Sequence, residues 1–184
     1  MRPFTYNIFT LLWITCMSLC MVFIPKTVQA QGQEVTGTAT AELVDILAGK
    51  EISSLAFGRF YIEGETTTGG ITIKPSPEIE RTTTGGSLFL VSGGLEGPAI
   101  YEITGYPEST IAVTLPGVTQ IVHSSNPSFQ MTVNQWTVSP STAPQLDANG
   151  KLTLFLGASL RIETISKNPI GFYSGTYSLV LSYN

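Results

Sequence analysis

Residues 171–184 read Gly-Phe-Tyr-Ser-Gly-Thr-Tyr-Ser-Leu-Val-Leu-Ser-Tyr-Asn, and this stretch decides the fold class. From residue 177 onward, large apolar or aromatic side chains occupy every second position. A period of two places alternate side chains on opposite faces of a β-strand. The stretch therefore predicts a terminal strand whose buried face is formed by Tyr177, Leu179, Leu181 and Tyr183.

The same alternation recurs upstream in short segments bounded by glycine pairs, prolines and Asn-Gly, which are turn-forming residues. In one segment the apolar residues change from odd-numbered to even-numbered positions between Val133 and Trp136. This change of parity predicts a β-bulge near Gln135. The only helical candidate, residues 42–47, is also predicted as a strand. Many short strands at this spacing predict an all-β fold, either an antiparallel sandwich or a barrel.

The first thirty residues differ from the rest of the chain. Arg2 precedes an uncharged apolar run at 8–24, and the small residue Ala30 ends the triplet Val-Gln-Ala. This order is typical of a secretory signal peptide, so we expect cleavage after Ala30. An uncleaved membrane anchor and a lipoprotein modified at Cys20 are the alternatives. We expect a protein of the periplasm or cell surface, with residues 31–184 as one domain and no stable membrane insertion after cleavage.

Charge and cysteine content exclude several classes of protein for residues 31–184. Cys16 and Cys20 are the two cysteines of the chain and both lie in the predicted signal peptide, so disulfides and zinc–cysteine sites are excluded. Loss of Arg2 and Lys26 leaves a chain more acidic than the net charge of −4 of the whole sequence. An acidic surface repels phosphate, so we expect no nucleic-acid partner.

The inventory of catalytic side chains is small. His123 is the only histidine, and no Gly-x-Ser-x-Gly motif accompanies it. The glutamate pairs Glu63 with Glu65 and Glu78 with Glu80 are the candidates for glycoside hydrolysis. Their threonine, glycine and proline neighbours indicate solvated loops. We therefore expect no catalytic residue, no metal site, no cofactor and no enzymatic activity.

Three segments carry a resemblance to a known family: Leu55-Ala56-Phe57-Gly58-Arg59-Phe60, residues 101–104 with 111–115, and the tail at 171–184. Together they resemble a family of small secreted bacterial domains of unknown function that neighbours the spore-coat-U-type pilin subunits. The tail also resembles the C-terminal signature of chaperone–usher pilins, with Gly171 fourteenth from the end and Tyr183 penultimate.

This resemblance implies an immunoglobulin-like, pilin-like β-sandwich that lacks a strand and is completed by the N-terminal strand of another subunit. It implies a secreted structural or adhesive surface subunit, with copies of itself, related subunits and a periplasmic chaperone as partners. The strand-donor candidates are Val35, Gly37, Ala39, Ala41 and Leu43. The acceptor-edge or chaperone-contact candidates are Gly171, Tyr177, Leu179, Leu181 and Tyr183.

Three alternatives remain open on sequence grounds. Residues 35–43 could be the protein's own first strand, in which case the sandwich is complete by itself. The protein could be a self-contained binding module for a glycan or peptide, with Trp136 or Tyr106 exposed on loops. An enzyme would instead require glutamates that converge in a cleft.

Overall fold

The computed structural model describes residues 37–64, 68–85 and 87–184. These residues form antiparallel β-structure and contain no helix, so the predicted all-β fold is confirmed. The strands are β1 (Ala48–Ser53), β2 (Ala56–Ile62), β3 (Gly69–Ile73), β4 (Arg81–Thr84), β5 (Leu88–Gly97), β6 (Ala99–Thr104), β7 (Ile111–Thr114), β8 (Thr119–His123), β9 (Asn126–Ser139), β10 (Lys151–Ile162), β11 (Tyr173–Ser174) and β12 (Val180–Tyr183).

Strand β10 is the centre of the main sheet, whose order is β1-β6-β10-β9-β8-β11. Its first half pairs with β6 and its second half with β3, while its opposite edge pairs with β9. The change of partner occurs at Gly157, where a Cβ atom would overlap the backbone carbonyl of Ile73. A residue without a side chain is therefore needed where β3 approaches β10.

The β-bulge predicted near Gln135 is confirmed in β9. Gln135 has a φ of 50°, and the ladder with β10 passes from Thr137 to Asn134 while β10 advances from Gly157 to Ser159. The extra residue reverses the parity of the strand. Met131 and Val133 before the bulge and Trp136 after it are consequently all buried.

Two smaller sheets, β2–β5 and β7–β12, pack against the main sheet in a sandwich-like arrangement. The β2–β5 pair contributes Phe60, Ile62, Leu88 and Leu90 to one cluster of the core. The β7–β12 pair contributes to a second cluster. The side chains buried most completely come from β3, β6, β7, β10 and the loop before β10: Ile71, Ile73, Ile103, Ile111, Leu146, Leu154, Leu156, Leu160 and Ile162.

The Leu-x-Phe-Gly segment forms the start of β2, and Gly58 has a φ of +72° there. The nearly buried guanidinium of Arg81 occupies the position that a Cβ of residue 58 would take. It donates hydrogen bonds to the carbonyls of Phe57, Arg59 and Val91 at 3.0, 3.3 and 3.2 Å. Arg81 therefore fixes the bulged pairing of β2 with β5.

The part of the chain before β1 differs from one expectation. Residues 42–47 belong to no strand, although the sequence predicts one. The predicted signal peptide, the cleavage site at Ala30 and the first donor candidate Val35 lie outside the described residues. Within the described residues, no helix is long and apolar enough to cross a membrane.

Candidate functional site

The C-terminal strand is an edge of the sandwich. Strands β11 and β12 belong to one extended run, residues 173–183, which lies along β8 and then β7. Between them, Gly175 approaches β8 so closely that a Cβ atom would lie 2.6 Å from the carbonyl oxygen of Gln120. Among the described residues, no strand pairs with the other side of this run. Its outer backbone edge therefore carries no ladder within the described chain.

Strand β1 is a second edge, and it adds little to the core. In the described chain it pairs with β6 alone, and all six of its residues are exposed. Gly49 lies opposite Ile103 and Glu51 lies opposite Tyr101, so these two β1 residues share the inward face of β6. A glycine and a carboxylate thus stand where an internal strand carries apolar side chains.

We call the space between β1 and residues 175–183 the seam. One end of the seam is closed by side chains. The hydroxyl of Tyr183 donates a hydrogen bond to the carbonyl of Asp45 and accepts one from the N–H of Tyr106, each at 2.8 Å. Leu181 lies close to Gly49, with its Cδ1 3.0 Å from the position of a Cβ there. These contacts hold the two edges together without a backbone ladder.

Farther along the seam, two tyrosine side chains from β6 and from the C-terminal run contact each other. The hydroxyl oxygens of Tyr101 on β6 and Tyr177 on the C-terminal run lie 2.8 Å apart. The Tyr177 ring packs against Trp136, with ring centroids 4.7 Å apart. We call Glu51, Tyr101 and Tyr177 the tyrosine notch, because Glu51 is the cross-strand neighbour of Tyr101.

The environment of the tyrosine notch raises the pKa of both phenol hydroxyls and so favours their protonated forms. Burial raises the pKa of the Tyr177 hydroxyl, and its hydrogen bond with Tyr101 and the charge of Glu51 act in the same direction. Burial also raises the pKa of the Tyr101 hydroxyl, and Glu51 contributes to this increase. A neutral pair can share one hydrogen bond, in which one hydroxyl donates and the other accepts.

Four of the five predicted acceptor-edge residues come together at the seam. Tyr177, Leu179, Leu181 and Tyr183 are all half-buried and pack on one or both core clusters. Fully buried side chains of the internal strands are at most 2% exposed, so the face of the C-terminal run is covered less completely.

Gly171 lies away from the seam, in the loop before β11. A Cβ there would overlap the Nε2 atom of His123. His123 hydrogen-bonds to the carbonyl of Ile170 at 3.2 Å through Nε2 and accepts the N–H of Ser125 at 3.1 Å through Nδ1. Gly171 thus allows the His123 ring to cover the loop that leads into the last strand. The sequence alone contains no signal for this contact.

The described donor candidates form no strand. Gly37, Ala39 and Ala41 are exposed, and Leu43 is 99% exposed. Val35, the remaining candidate, lies outside the described residues. Residues 37–43 are therefore not paired in a sheet of their own chain within the described structure.

Of the two aromatic residues that the binding-module alternative places on loops, Tyr106 is exposed in the loop after β6, as expected, and Trp136 is not. Trp136 lies in β9 rather than on a loop, is only 9% exposed, and donates its indole N–H to the carbonyl of Gly117 at 2.9 Å. Tyr106 follows β6 and donates its hydroxyl to Glu42 at 2.7 Å. Glu80 pairs with Lys74. In the described parts of the chain, no group of three or more acidic, histidine or cysteine side chains is placed to hold a metal.

A groove of about 760 Å³ lies between β7 and β9. Val113, Leu115 and Trp136 form part of its apolar lining, and Lys74 is its one charged lining residue. The hydroxyls of Thr72 and Ser159, which also line it, hydrogen-bond to each other at 2.8 Å. The groove offers apolar and hydroxyl surface rather than a cluster of titratable groups.

Comparison with known proteins identifies a family without an assigned activity. The family profile described as DUF4402, a domain of unknown function, matches residues 47–183, from just before β1 to the end of β12. None of the curated proteins and none of the solved structures matches the sequence. The expected relation to a domain of unknown function is thus confirmed, whereas nothing in these comparisons links the chain to spore-coat-U-type or chaperone–usher subunits.

Proposed function

The chain belongs to the DUF4402 family, and we propose that it is a secreted structural or adhesive surface subunit that assembles by β-strand donation. The observation that carries this proposal is the seam. Strand β1 and the C-terminal run each pair along one side only in the described structure, and they contact each other through side chains without a backbone ladder. An exposed strand edge is a template for another strand.

A donated strand would gain energy in two ways at the seam. Its backbone could hydrogen-bond to the free edge of the C-terminal run, as in other cases of β-augmentation. Its inward side chains would cover Leu179 and Tyr177, which are only half-buried in the isolated chain. Removing apolar surface from water contributes about 25 cal/mol per Å². Both contributions are absent until the seam is filled.

The proposed donor is the stretch before β1, with Val35, Gly37, Ala39, Ala41 and Leu43 on one face. Residues 37–43 are exposed and strandless, so forming a strand elsewhere would not break a ladder seen in their own chain. Cleavage after Ala30 would leave residues 31–47 as an arm ahead of β1. The proposed partners are therefore copies of the chain or related subunits.

Secretion and chaperone contact belong to the same proposal. The apolar run at 8–24 and Ala30 support export to the periplasm or cell surface. A subunit with an unfilled seam would expose an edge strand before assembly, which is a hazard for aggregation. A periplasmic chaperone that covers residues 175–183 would suppress this hazard.

The test compares the chain from Gln31 with a variant that lacks residues 31–41. The deletion leaves Glu42, which accepts the Tyr106 hydroxyl, in place. Light scattering over a range of concentrations should show oligomers for the longer chain and a folded monomer for the deletion variant. A matched control, Thr38→Ser with Thr40→Ser, alters only the polar face of the arm and should assemble normally. Identical oligomeric states for the longer chain and the deletion variant would contradict strand donation.

A self-contained binding module is the second candidate function, and the groove between β7 and β9 is the observation that favours it. Its apolar lining and hydroxyls suit a glycan or a peptide rather than an anion. This candidate predicts that both chains in the deletion experiment are monomers. It also predicts that Leu115→Asp, which places a charge in the groove, abolishes ligand binding on a glycan or peptide array.

A further inference from the structure

We infer that the seam accepts only a strand with small inward side chains, that the tyrosine notch imposes this requirement, and that residues 37–41 of a second copy are the occupant. The inference rests on the proposed function and names the part of the partner that the site recognises. It assigns a specificity role to Glu51, Tyr101 and Tyr177, which the sequence patterns do not single out together.

The first argument is the space that the tyrosines already fill. Tyr101 on β6 and Tyr177 on the C-terminal run point toward each other, and their hydroxyl oxygens lie 2.8 Å apart. The Tyr177 ring is also held against Trp136, which is itself fixed by its hydrogen bond to Gly117. A large inward side chain at this level would have to break the hydroxyl contact or move a packed ring. Overfilling a packed region forces side chains out of their preferred rotamers and is destabilising.

The second argument is the composition of the arm. Along its predicted inward face, glycine and alanine occupy positions 37, 39 and 41, and the larger residues Val35 and Leu43 stand at the two ends. A strand with this pattern places its smallest side chains at its centre. The centre of the donor would thus match the part of the seam that the tyrosine rings occupy, with Ala39 at the tyrosine notch.

The third argument concerns register. A slip of one residue would turn the threonines at 36, 38 and 40 inward, because successive side chains of a strand point to opposite faces. A slip of four residues would bring Val35 or Leu43 to the tyrosine notch, where a larger side chain would meet the hydroxyl contact between Tyr101 and Tyr177. Glu51 adds a negative charge at this level, which opposes a register that brings Glu34 or Glu42 close to it.

The test enlarges one side chain of the donor and shortens one side chain of the acceptor, in the chain that begins at Gln31. Ala39→Leu should reduce assembly at least tenfold, measured as the oligomer fraction by light scattering. The matched control Thr38→Leu puts the same side chain on the outward face and should assemble as the unchanged chain does. Tyr101→Val shortens the acceptor side chain, and the double variant Ala39→Leu with Tyr101→Val should recover assembly.

A second measurement avoids any dependence on the folding of the Tyr101 variant. A synthetic peptide of residues 33–45 should inhibit assembly of the unchanged protein, and the same peptide with leucine at position 39 should not. If Ala39→Leu assembles normally, or if Thr38→Leu is equally damaging, the size requirement is wrong while strand donation stands. If the unchanged chain forms no oligomer, both this inference and the proposed function are overturned.

Discussion

At the residue scale, a single hydroxyl contact joins Tyr101 on β6 to Tyr177 on the C-terminal run. They are 76 positions apart in sequence. Each stands in a segment whose alternation is predictable, yet the contact depends on which sheet each strand joins. The sequence predicts which side chains of the last strand share a face, although the structure has a strand only at Val180–Tyr183 and leaves that face half-buried. The contact between Tyr177 and Tyr101 is not predictable from the sequence.

The two phenols give the fold a dependence on alkaline pH. Burial raises the pKa of both hydroxyls above the value of about 10 in an unfolded chain. The neutral hydroxyls therefore favour the folded state, and their contribution to the free energy of unfolding is fully present below a pH of about 10. Above that pH the unfolded chain ionises first and the contribution declines.

Urea unfolding at pH 8 and at pH 10.5 tests this expectation. The free energy of unfolding should fall more between these two values for the unchanged chain than for Tyr177→Phe. The control Tyr61→Phe alters an exposed ring that stacks on Phe89 and should not change the decline. An equal decline for the unchanged chain and Tyr177→Phe would show that Tyr177 does not contribute to it.

At the element scale, β10 joins the two parts of the main sheet because it changes partner at Gly157. The backbone of Ile73, Lys74 and Pro75 surrounds the site that a Cβ atom would occupy. A methyl group there must displace backbone rather than a mobile side chain. Gly157→Ala should therefore lower the free energy of unfolding by about 1–3 kcal/mol.

The matched control for this substitution is Gly117→Ala. Gly117 has no atom within 4 Å of an added Cβ, and its carbonyl still accepts the Trp136 indole N–H after the change. Chemical denaturation should show a stability close to that of the unchanged chain for the control. If both substitutions cost the same, close approach of β3 is not the reason for glycine at position 157.

Elements differ in how well the sequence predicts them, and the reason is the chemistry of their inward faces. The bulge in β9 is predictable because apolar residues on both sides of Gln135 reveal the change of parity. Strand β1 is not, because Gly49 and Glu51 face inward and leave no apolar period. The binding-module alternative places Trp136 on a loop, but Trp136 is buried in β9, as the change of parity at the bulge predicts.

At the scale of the whole molecule, stability should be distributed unevenly. Strand β10 is paired along both edges, whereas β1 and residues 175–179 lie at the margins of the ladder network. Local opening requires less free energy where few contacts must break. Hydrogen exchange followed by mass spectrometry should show slow exchange in β10 and early exchange in β1 and in residues 175–179. Equal protection of β1 and β10 would show that the seam is not a weak margin.

The antiparallel course of the C-terminal run beside β7 and β8 also has a mechanical consequence. Hydrogen bonds between antiparallel strands lie perpendicular to the strand direction. Tension along residues 173–183 would load the ladders at Tyr173 and at residues 180–183 in shear, so that their bonds bear the force together. A force applied across the sheet would instead open them one after another. The fold should therefore resist stretching along its last strand better than peeling of that strand from its edge.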